Sequence, residues 1–417
     1  MTPVASLSQL LTTHEETRTP SFALVVALAA ACASCGVFYT FGLFSPMLMA
    51  DRDFSLVTIN ILFGLAYAGS TIGVAPLVRF LAPTRTSAVG IMVACCVVLP
   101  VAWVALALSR STAVAAIAFI AIGMGVDIIF TVALLVLPKD GIYPGVMSTS
   151  YGLGGAALGY AVVKWPGGAP TLRTLFLAMA ALLGTGSVVT LAALVWYRVR
   201  YVAPTVAPTP GERAPLLING QPDGRDDTTT ASPLRHPVFL ALLVLFFVSA
   251  GLGSTIAADF GLIDPRYTAA HLTIVFSVAQ TVGRLAFTAL VGITRTLPSW
   301  ILTLSAGCYL LSAILLMIPT PLPLASIIAA SVAFGGLTAV LPSFTERAID
   351  SVSFASLWPY LLLADGAGSL LVTPLLGFLG IGALGYVLLV GAALMTLACA
   401  VHYRFKASAS SAAPATA

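Results

Sequence analysis

Long apolar runs recur along the chain, and nearly all of the charged residues fall in the short gaps between them. Each run has the length, about twenty residues, that a helix needs to cross a bilayer. Six runs occupy residues 21–47, 55–80, 86–109, 112–137, 142–163 and 172–197. Six more occupy residues 237–262, 268–292, 297–318, 321–341, 354–377 and 379–403. The pattern predicts an all-α integral membrane protein with twelve transmembrane helices, because a helix satisfies its own backbone hydrogen bonds.

A single long polar tract, residues 198–236, separates the two sets of runs. It contains repeated Pro, several Arg and a run of Thr but no sustained apolar period, so it cannot bury enough surface to fold alone. We interpret it as a flexible linker between a six-helix bundle at 21–197 and a second one at 237–403. Residues 1–20 and 404–417 are then polar tails.

The placement of positive charge predicts an orientation. Cytoplasmic loops carry an excess of Lys and Arg. If the linker is cytoplasmic, only five of the 19 Lys and Arg residues fall on the other side, namely Arg52, Arg110, Lys164, Arg173 and Arg266. Because the number of spans on each side of the linker is even, both termini are predicted to be cytoplasmic as well.

Composition excludes several classes of function. Hydrophobic residues make up 59% of the chain and charged residues 8%, against about a quarter charged in a soluble domain. The net charge of +4 is not concentrated in a way that suggests a nucleic-acid partner. The six cysteines lie in apolar runs, where Cys behaves as a small buried hydrophobe. No phosphate-binding loop, metal-ligand cluster or Ser-His pair is present, so we expect no cofactor, no metal and no enzyme activity.

Short segments of the two halves match one another in the same order. The matches pair Phe41-Gly42-Leu43-Phe44 with Phe260-Gly261-Leu262-Ile263, Val136-Leu137-Pro138 with Val340-Leu341-Pro342, and Tyr151-Gly152-Leu153-Gly154 with Asp365-Gly366-Ala367-Gly368. Together they favour a 6+6 pseudo-repeat, with the substrate path at the interface of two related bundles. The glycines of the fifth, seventh and eleventh spans fit either ordinary tight packing or smooth contacts along which one bundle rocks against the other.

Four ionisable residues lie within predicted spans, where a charge is costly and marks a candidate functional site. They are Asp127, Asp259, Arg284 and Asp365. Arg284 cannot shed its charge and needs an anion. The anion is either a protein carboxylate, Asp365 or Asp127, or the carboxylate of a substrate; a third alternative is an interfacial Arg that reaches out to water.

Other residues join this candidate set by position. Gln280 lies one turn from Arg284 on the same face, where it either binds substrate or holds two helices together. Asp365 or Asp127 is the candidate carrier of a coupled proton. Aromatic residues of the first, second and fifth spans either line a cavity or pack between helices, namely Tyr39, Phe41, Phe44, Tyr67 and Tyr151. Asp259 is expected at a solvated outer mouth.

The linker contains a candidate sorting signal. Glu212 is followed at the fourth and fifth places by Leu216 and Leu217, a pattern that adaptor proteins read in cytoplasmic segments. Such short patterns also arise by chance. Since two Leu in so polar a tract lack a packing role, we expect an endosomal, lysosomal or vacuolar membrane in preference to the plasma membrane.

Four segments resemble the major facilitator superfamily, and within it the nodulin-like and monocarboxylate-transporter-like branch. They are Gly36–Ser45, Gly145–Ala156, Gly251–Asp259 and the pair Gly283-Arg284. The resemblance implies a twelve-helix alternating-access carrier in which Arg284 helps to bind or couple a substrate anion. The chain departs from proton-linked monocarboxylate carriers at Gln280, where those carriers have an acid, and lacks their Lys in the first span, so the substrate class stays open.

The leading hypothesis is a secondary active or facilitative transporter for a small organic solute. The most plausible solute is an organic anion such as a monocarboxylate, moved by rocking of the two bundles, with a co-transported proton as one alternative. Competing hypotheses are a carrier for an amino acid, a cation or a drug-like molecule, and a membrane sensor or scaffold that binds without transport. The expected partners are the lipid bilayer, the solute and a sorting adaptor, and the expected state is a monomer.

Overall fold

The computed structural model describes residues 20–77, 80–81, 85–137, 143–202, 237–294, 300–319, 321–348 and 351–411. Over these residues the chain forms twelve long helices. The first six are α1 (Phe22–Arg52), α2 (Leu56–Thr71), α3 (Thr86–Leu108), α4 (Thr112–Val136), α5 (Tyr143–Val163) and α6 (Leu172–Tyr197). The other six are α7 (Pro237–Ile263), α8 (Ala269–Thr294), α9 (Trp300–Met317), α10 (Pro323–Ala348), α11 (Ser351–Leu379) and α12 (Leu384–Ser411). Below, α1–α6 are the N-terminal bundle and α7–α12 the C-terminal bundle.

The helices coincide with the predicted spans, and the prediction of an all-α membrane protein is confirmed. Ten of them are long and apolar enough to cross a membrane. The second, α2, is a shorter apolar helix of 16 residues, and α5 is a helix of 21 residues at the predicted fifth span. The chain is therefore a multi-pass membrane protein.

Several predicted boundaries are wrong by part of a turn or more. The first helix runs to Arg52, five residues beyond the expected end, and stops at Asp53, whose φ of 55° is left-handed. The second helix ends at Thr71 instead of residue 80, and turns follow over 72–77. The last helix continues to Ser411 through the tail expected from 404, because an established helix extends readily through alanine. The sorting residues Glu212, Leu216 and Leu217 lie outside the described residues.

The first helix changes to 3-10 geometry at its centre, over Gly36–Thr40. This change occurs where α1 touches α5 most closely: a Cβ at Gly36 would lie 1.8 Å from the Tyr151 carbonyl oxygen. The Thr40 hydroxyl donates to the Val37 carbonyl, which satisfies an acceptor inside the 3-10 segment. Mid-helix 3-10 segments often mark functional hinges. Tyr39 lies in this segment.

The internal repeat has a counterpart in the packing. Gly154 meets α1 within the N-terminal bundle, where a Cβ would lie 1.8 Å from the Ala33 carbonyl oxygen. Its predicted partner Gly368 meets α7 within the C-terminal bundle, where a Cβ would lie 1.9 Å from the Phe247 carbonyl oxygen. The two bundles thus make the same contact between their first and fifth helices, as the sequence match predicts.

Two helix pairs make the most extensive contacts between the bundles, α5 with α8 and α2 with α11. On α5, Gly152 and Gly155 face Thr281 and Ser277 of α8. On α11, Gly366 faces Thr71 of α2. The glycines of the fifth and eleventh helices therefore divide by position: Gly154 and Gly368 pack within a bundle, whereas Gly152, Gly155 and Gly366 form the contact surfaces between bundles.

The bundles also meet tightly at the face opposite the linker. Gly42 and Gly261, equivalent in the repeat, lie directly against each other, and a Cβ at Gly261 would be 2.0 Å from the Gly42 carbonyl oxygen. Nearby, the Ser45 hydroxyl donates to the Ala258 carbonyl oxygen at 2.7 Å. These contacts between α1 and α7 close the interface on that side. The five Lys and Arg residues assigned to the outer side all lie at this face, by their positions at helix ends.

Candidate functional site: a charged cavity between the bundles

A cavity of about 190 Å³ lies between the two bundles. Three ionisable side chains line it: Asp127 of α4, Arg284 of α8 and Asp365 of α11. The remaining lining consists of Phe38, Tyr39, Tyr67, Ser70, Thr71, Phe130, Ser148, Tyr151, Phe246, Ser249, Phe334, Thr338, Leu341 and Leu362. The tertiary structure therefore brings together Arg284, Asp127, Asp365, Tyr39 and Tyr151 from five helices.

The cavity occupies the half of the protein nearer the linker. On α7, whose start is on the linker side, it is lined by Phe246 and Ser249 from the first half of the helix. On α10, which ends on that side, it is lined by residues from Phe334 to Leu341. Beyond the cavity, the glycine contacts of α1 with α7 fill the interface. The site thus lies between a packed half and the linker side.

Arg284 is buried in the wall of the cavity, with 4% of its surface exposed. Its Nη1 donates to the Ser148 hydroxyl at 2.7 Å and, at 3.4 Å, to the Ser148 carbonyl oxygen. The guanidinium also lies over two rings, 5.8 Å from the centroid of Tyr39 and 5.6 Å from that of Tyr151. Since desolvated cation–π contacts are worth about 2 kcal/mol, α5 and α1 of the opposite bundle help to hold the guanidinium in place.

The guanidinium keeps unused donors. Its buried Nε has no acceptor among the described residues. Among the described residues, no acid forms an ion pair with Arg284, and the ion pairs found are those of Arg52 with Asp51 and of Arg266 with Asp264. The alternative in which Asp365 or Asp127 serves as its direct partner is therefore not met in this conformation. An anion that entered the cavity would find a positive charge without a counter-charge.

The two acids of the cavity face it from opposite bundles. Asp127 lies on α4 and Asp365 on α11, and both are partly exposed to the cavity. No hydrogen bond or ion pair joins either carboxyl group to another described residue. The cavity therefore combines one fixed positive charge with two groups that can each bind or release a proton.

Aromatic rings form one wall of the cavity around Arg284. Tyr39 makes edge contacts with Tyr151 and Phe334, at centroid distances of 5.3 and 5.5 Å. Phe130 contacts Tyr151 at 4.8 Å. Two predicted lining residues lie elsewhere: Phe41 and Phe44 pack inside the N-terminal bundle, against partners that include Phe119 and Trp103 respectively.

Gln280 lies on α8 but outside the cavity lining. Its side chain is fully buried, and both amide atoms lack a hydrogen-bond partner among the described residues. Its backbone carbonyl oxygen lies against Gly335 of α10. Gln280 therefore lies at a contact between helices of one bundle and does not line the cavity.

The expectation that Asp259 is solvated at an outer mouth is wrong, because its side chain is fully buried. Asn60 of α2 donates to its Oδ2 at 3.1 Å, across the interface between the bundles. The tight packing of this face excludes water from Asp259, although its position near the end of α7 suggested a place at the surface. Asp259 contributes to the closure opposite the linker.

Sequence reasoning missed Ser148, Phe130 and Phe334. The two phenylalanines were detectable, since each precedes its Leu-Pro pair, Leu137-Pro138 or Leu341-Pro342, by the same number of positions in the repeat. Tyr151 and Asp365 are likewise equivalent in the repeat and both line the cavity. Ser148 carried no signal, because a serine in a helix gives no indication of a partner 136 positions away.

The described residues contain no group of three or more His, Cys, Asp or Glu that would hold a metal ion. All six cysteines are free. The chemistry that the cavity offers is the binding of charged and aromatic groups.

Comparison with known proteins gives structural but not sequence relatives. No family model and no curated sequence matches the chain. The nucleoside transporter NupG superposes with a TM-score of 0.62 at 12% identity, covering 92% of this chain and 99% of that one. A single-residue variant of NupG gives 0.63 at 12% identity, covering 91% and 99%. A variant of the peptide transporter POT in complex with alafosfalin gives 0.64 at 14% identity, covering 92% and 96%. The chain has the fold of the major facilitator transporters.

Proposed function

We propose that the protein is a secondary transporter that carries a small organic anion, such as a monocarboxylate, through the central cavity. The observation that carries the proposal is Arg284, a buried cation that lines the cavity without an acidic partner among the described residues. A guanidinium presents donors in a fork that matches a carboxylate, and such charge-assisted bonds are stronger in a dry site. No catalytic step is part of this function.

Alternating access explains the two halves of the interface. The present conformation has its cavity on the linker side and tight contacts between α1 and α7 on the other side. Rocking of one bundle against the other along α5–α8 and α2–α11 would open the packed side and close the cavity side. The glycine contacts on these pairs support a movement in which backbones slide past one another.

A gradient supplies the driving force, and a proton is the proposed coupling ion. Asp365 and Asp127 are the candidate carriers, since both face the cavity and neither has another described partner. The neighbouring folds belong to transporters of nucleosides and of peptides, so the fold is compatible with solutes of quite different chemistry.

The orientation and location are proposals that rest on sequence. Positive charge supports a cytoplasmic linker and cytoplasmic termini. The Leu216–Leu217 pair supports an adaptor-dependent route to an endosomal, lysosomal or vacuolar membrane. Membership of the nodulin-like, monocarboxylate-transporter-like branch rests on the four segments quoted above, and a monomer is the proposed state.

Purified protein in proteoliposomes tests the function. Uptake of labelled monocarboxylates and other small organic anions should exceed that of protein-free vesicles and should respond to an imposed proton gradient. Arg284→Ala should abolish uptake, whereas Arg173→Ala, which removes an exposed Arg at the opposite face, should not. Ligand binding without flux of any solute would favour a sensor instead of a carrier.

A further inference from the structure

The two acids of the cavity indicate more about the solute than Arg284 does alone. Asp127 and Asp365 face the same cavity as Arg284, from opposite bundles. Neither carboxyl group hydrogen-bonds to another described residue, and both are partly exposed to the cavity. Arg284 supplies an independent sign of a ligand, since only 4% of its surface is exposed and its Nε has no acceptor among the described residues.

A solute that fills the cavity displaces the water around these acids. A buried carboxylate without a partner is strongly unfavourable. A purely anionic solute would neutralise Arg284, but each acid would then either stay ionised without a partner or have to take up a proton. A solute with a cationic group as well as a carboxylate removes this conflict, because each of its charges meets an opposite one.

We propose that the solute is a zwitterion of the α-amino-acid class, with its carboxylate on Arg284 and its ammonium group between Asp127 and Asp365. This assignment rests on the proposed function, in which Arg284 receives the carboxylate. An ammonium group has three donors and no acceptor, which suits two carboxylates. The neighbouring rings of Tyr39 and Tyr151 add attraction for a cation.

The bound zwitterion would tie the two bundles together. Arg284 and Asp365 belong to the C-terminal bundle, whereas Asp127 belongs to the N-terminal bundle. The aromatic wall formed by residues such as Phe130 and Phe334 leaves an apolar surface for the solute's own side chain. We therefore expect amino acids with apolar or aromatic side chains to bind best.

Ligands that differ from an amino acid by one charged group test whether the site binds the amine. Thermal unfolding of the purified full-length protein is measured with each of the twenty standard amino acids and with analogues that lack one charged group. For phenylalanine these analogues are 3-phenylpropanoate, without the amine, and 2-phenylethylamine, without the carboxylate. At least one amino acid should stabilise the protein, and each of its analogues should bind about tenfold or more weakly, because each loses a charge-assisted contact.

Variants identify which residues bind the ammonium group and which bind the carboxylate of the solute. Asp127→Asn and Asp365→Asn should each reduce the preference for the amino acid over its deaminated analogue by about tenfold, while Asp51→Asn, an exposed acid at the opposite face, should leave it unchanged. Arg284→Gln should reduce instead the preference for the amino acid over the amine.

The outcomes separate the inference from the function on which it rests. Carboxylates that stabilise the protein as well as the amino acids do would overturn the amine assignment and leave an organic-anion carrier intact. Amines that bind best, with no effect of Arg284→Gln, would overturn both. If no amino acid binds, the zwitterion is wrong, and uptake of other organic anions in proteoliposomes decides the proposed function separately.

Discussion

Arg284 shows how a single residue in a membrane protein is supported from several sides. The guanidinium stays positively charged at any ordinary pH. In place of water it contacts a hydroxyl group, a carbonyl group and two aromatic rings. Three of these four contacts come from α5, which belongs to the opposite bundle. The position of the guanidinium proposed to bind the solute therefore depends on how the two bundles pack against each other.

The shape of the guanidinium should matter as much as its charge. Arg284→Ala is expected to reduce uptake by at least about tenfold, because a charge-assisted contact is worth roughly 1.5–3 kcal/mol. Arg284→Lys should recover uptake only in part, since an ammonium group cannot present the same fork. Initial rates in proteoliposomes measure both variants. Wild-type rates in the Ala variant would remove Arg284 from the transport path.

Asp365 is the residue on which proton coupling is best tested. In the cavity it faces Asp127, Arg284 and the tyrosines Tyr39, Tyr67 and Tyr151, which are the other titratable groups there. Asp365→Asn removes one carboxyl group, so the dependence of uptake on pH should become flatter. Rates measured across an imposed pH gradient show the effect. An unchanged pH profile, with Asp127→Asn as the parallel variant, would argue against this role.

Outside the membrane-spanning segments, Asp264 links stability to pH. Its carboxylate accepts two hydrogen bonds from the Arg266 side chain, from Nε and Nη2, each at 2.8 Å. These bonds hold the pKa of the Asp264 carboxyl below its ordinary value of 3.8. A lowered pKa in the folded state stabilises the protein above pH 3.8, and this stabilisation is lost as the pH falls through the lowered value.

Asp264→Asn should therefore weaken the fall in melting temperature that acidification causes in the wild type. Thermal unfolding in detergent, followed from neutral to acidic pH, measures this dependence. Arg266→Gln removes the donors of the same pair and should have a similar effect. Equal slopes in the wild type and both variants would contradict the linkage.

At the scale of helices, the small residues of α5 decide how closely the bundles approach. Its glycines serve two neighbours at once: Gly154 lets α1 approach within the bundle, and Gly155 lets α8 approach across the interface. In lipid no hydrophobic effect drives helices together, so association depends on close packing of this kind. The glycine-rich segment was recognisable in the sequence, but its two faces were not.

Gly155→Val tests the contact between the bundles. A Cβ at this position would lie 2.2 Å from the Ser277 hydroxyl oxygen and 3.2 Å from the Ser277 Cβ. The hydroxyl group would have to rotate away, and the two methyl groups of Val are expected to push α5 and α8 apart. Overpacking of this kind destabilises by about 1–3 kcal/mol, and uptake should fall with the melting temperature. Gly145→Val on the same helix is the control, because a Cβ there has no neighbour within 4 Å. Equal losses in both variants would indicate a general helix effect.

At the scale of the whole molecule, the proposed alternating-access cycle makes this structure one of two states. The face opposite the linker is held by Gly42 against Gly261, by Ser45 with Ala258, and by Asn60 with Asp259. These contacts join α1 and α2 to α7, and all of them must break if the cavity is to open on that side. In the proposed cycle, their combined strength contributes to the balance between the two states.

A covalent link across this face should stop transport. In a background without the six native cysteines, the double variant S45C/A258C should lose uptake when oxidised or treated with a short bifunctional reagent, and a reductant should restore it. The pair S312C/S326C is the control, because Ser312 and Ser326 are in contact at 2.7 Å within one bundle. Uptake that survives the first link would contradict alternating access at this interface.

The sequence by itself determined the helices and their grouping. Apolar runs of the length of a bilayer predict the spans, because lipid leaves a helix as the only way to satisfy the backbone of an isolated segment. Repeated segments predicted that Gly154 and Gly368 are equivalent, and the intramembrane charges marked Arg284, Asp127 and Asp365. Each of these signals is contained in a short stretch of the chain, so it can be recognised without the tertiary structure.

Only the tertiary structure decided which of these groups meet. Ser148 and Arg284 are 136 positions apart, and Asn60 and Asp259 are 199 apart, so no local pattern connects them. The chain position of Asp259 suggested a place near water, but the packing of α1 and α2 against α7 buries it. Gln280 packs against α10 and does not line the cavity. The interface has a cavity on one side and tight packing on the other. This arrangement depends on how the surfaces of the two bundles fit each other, which neither half of the sequence shows alone.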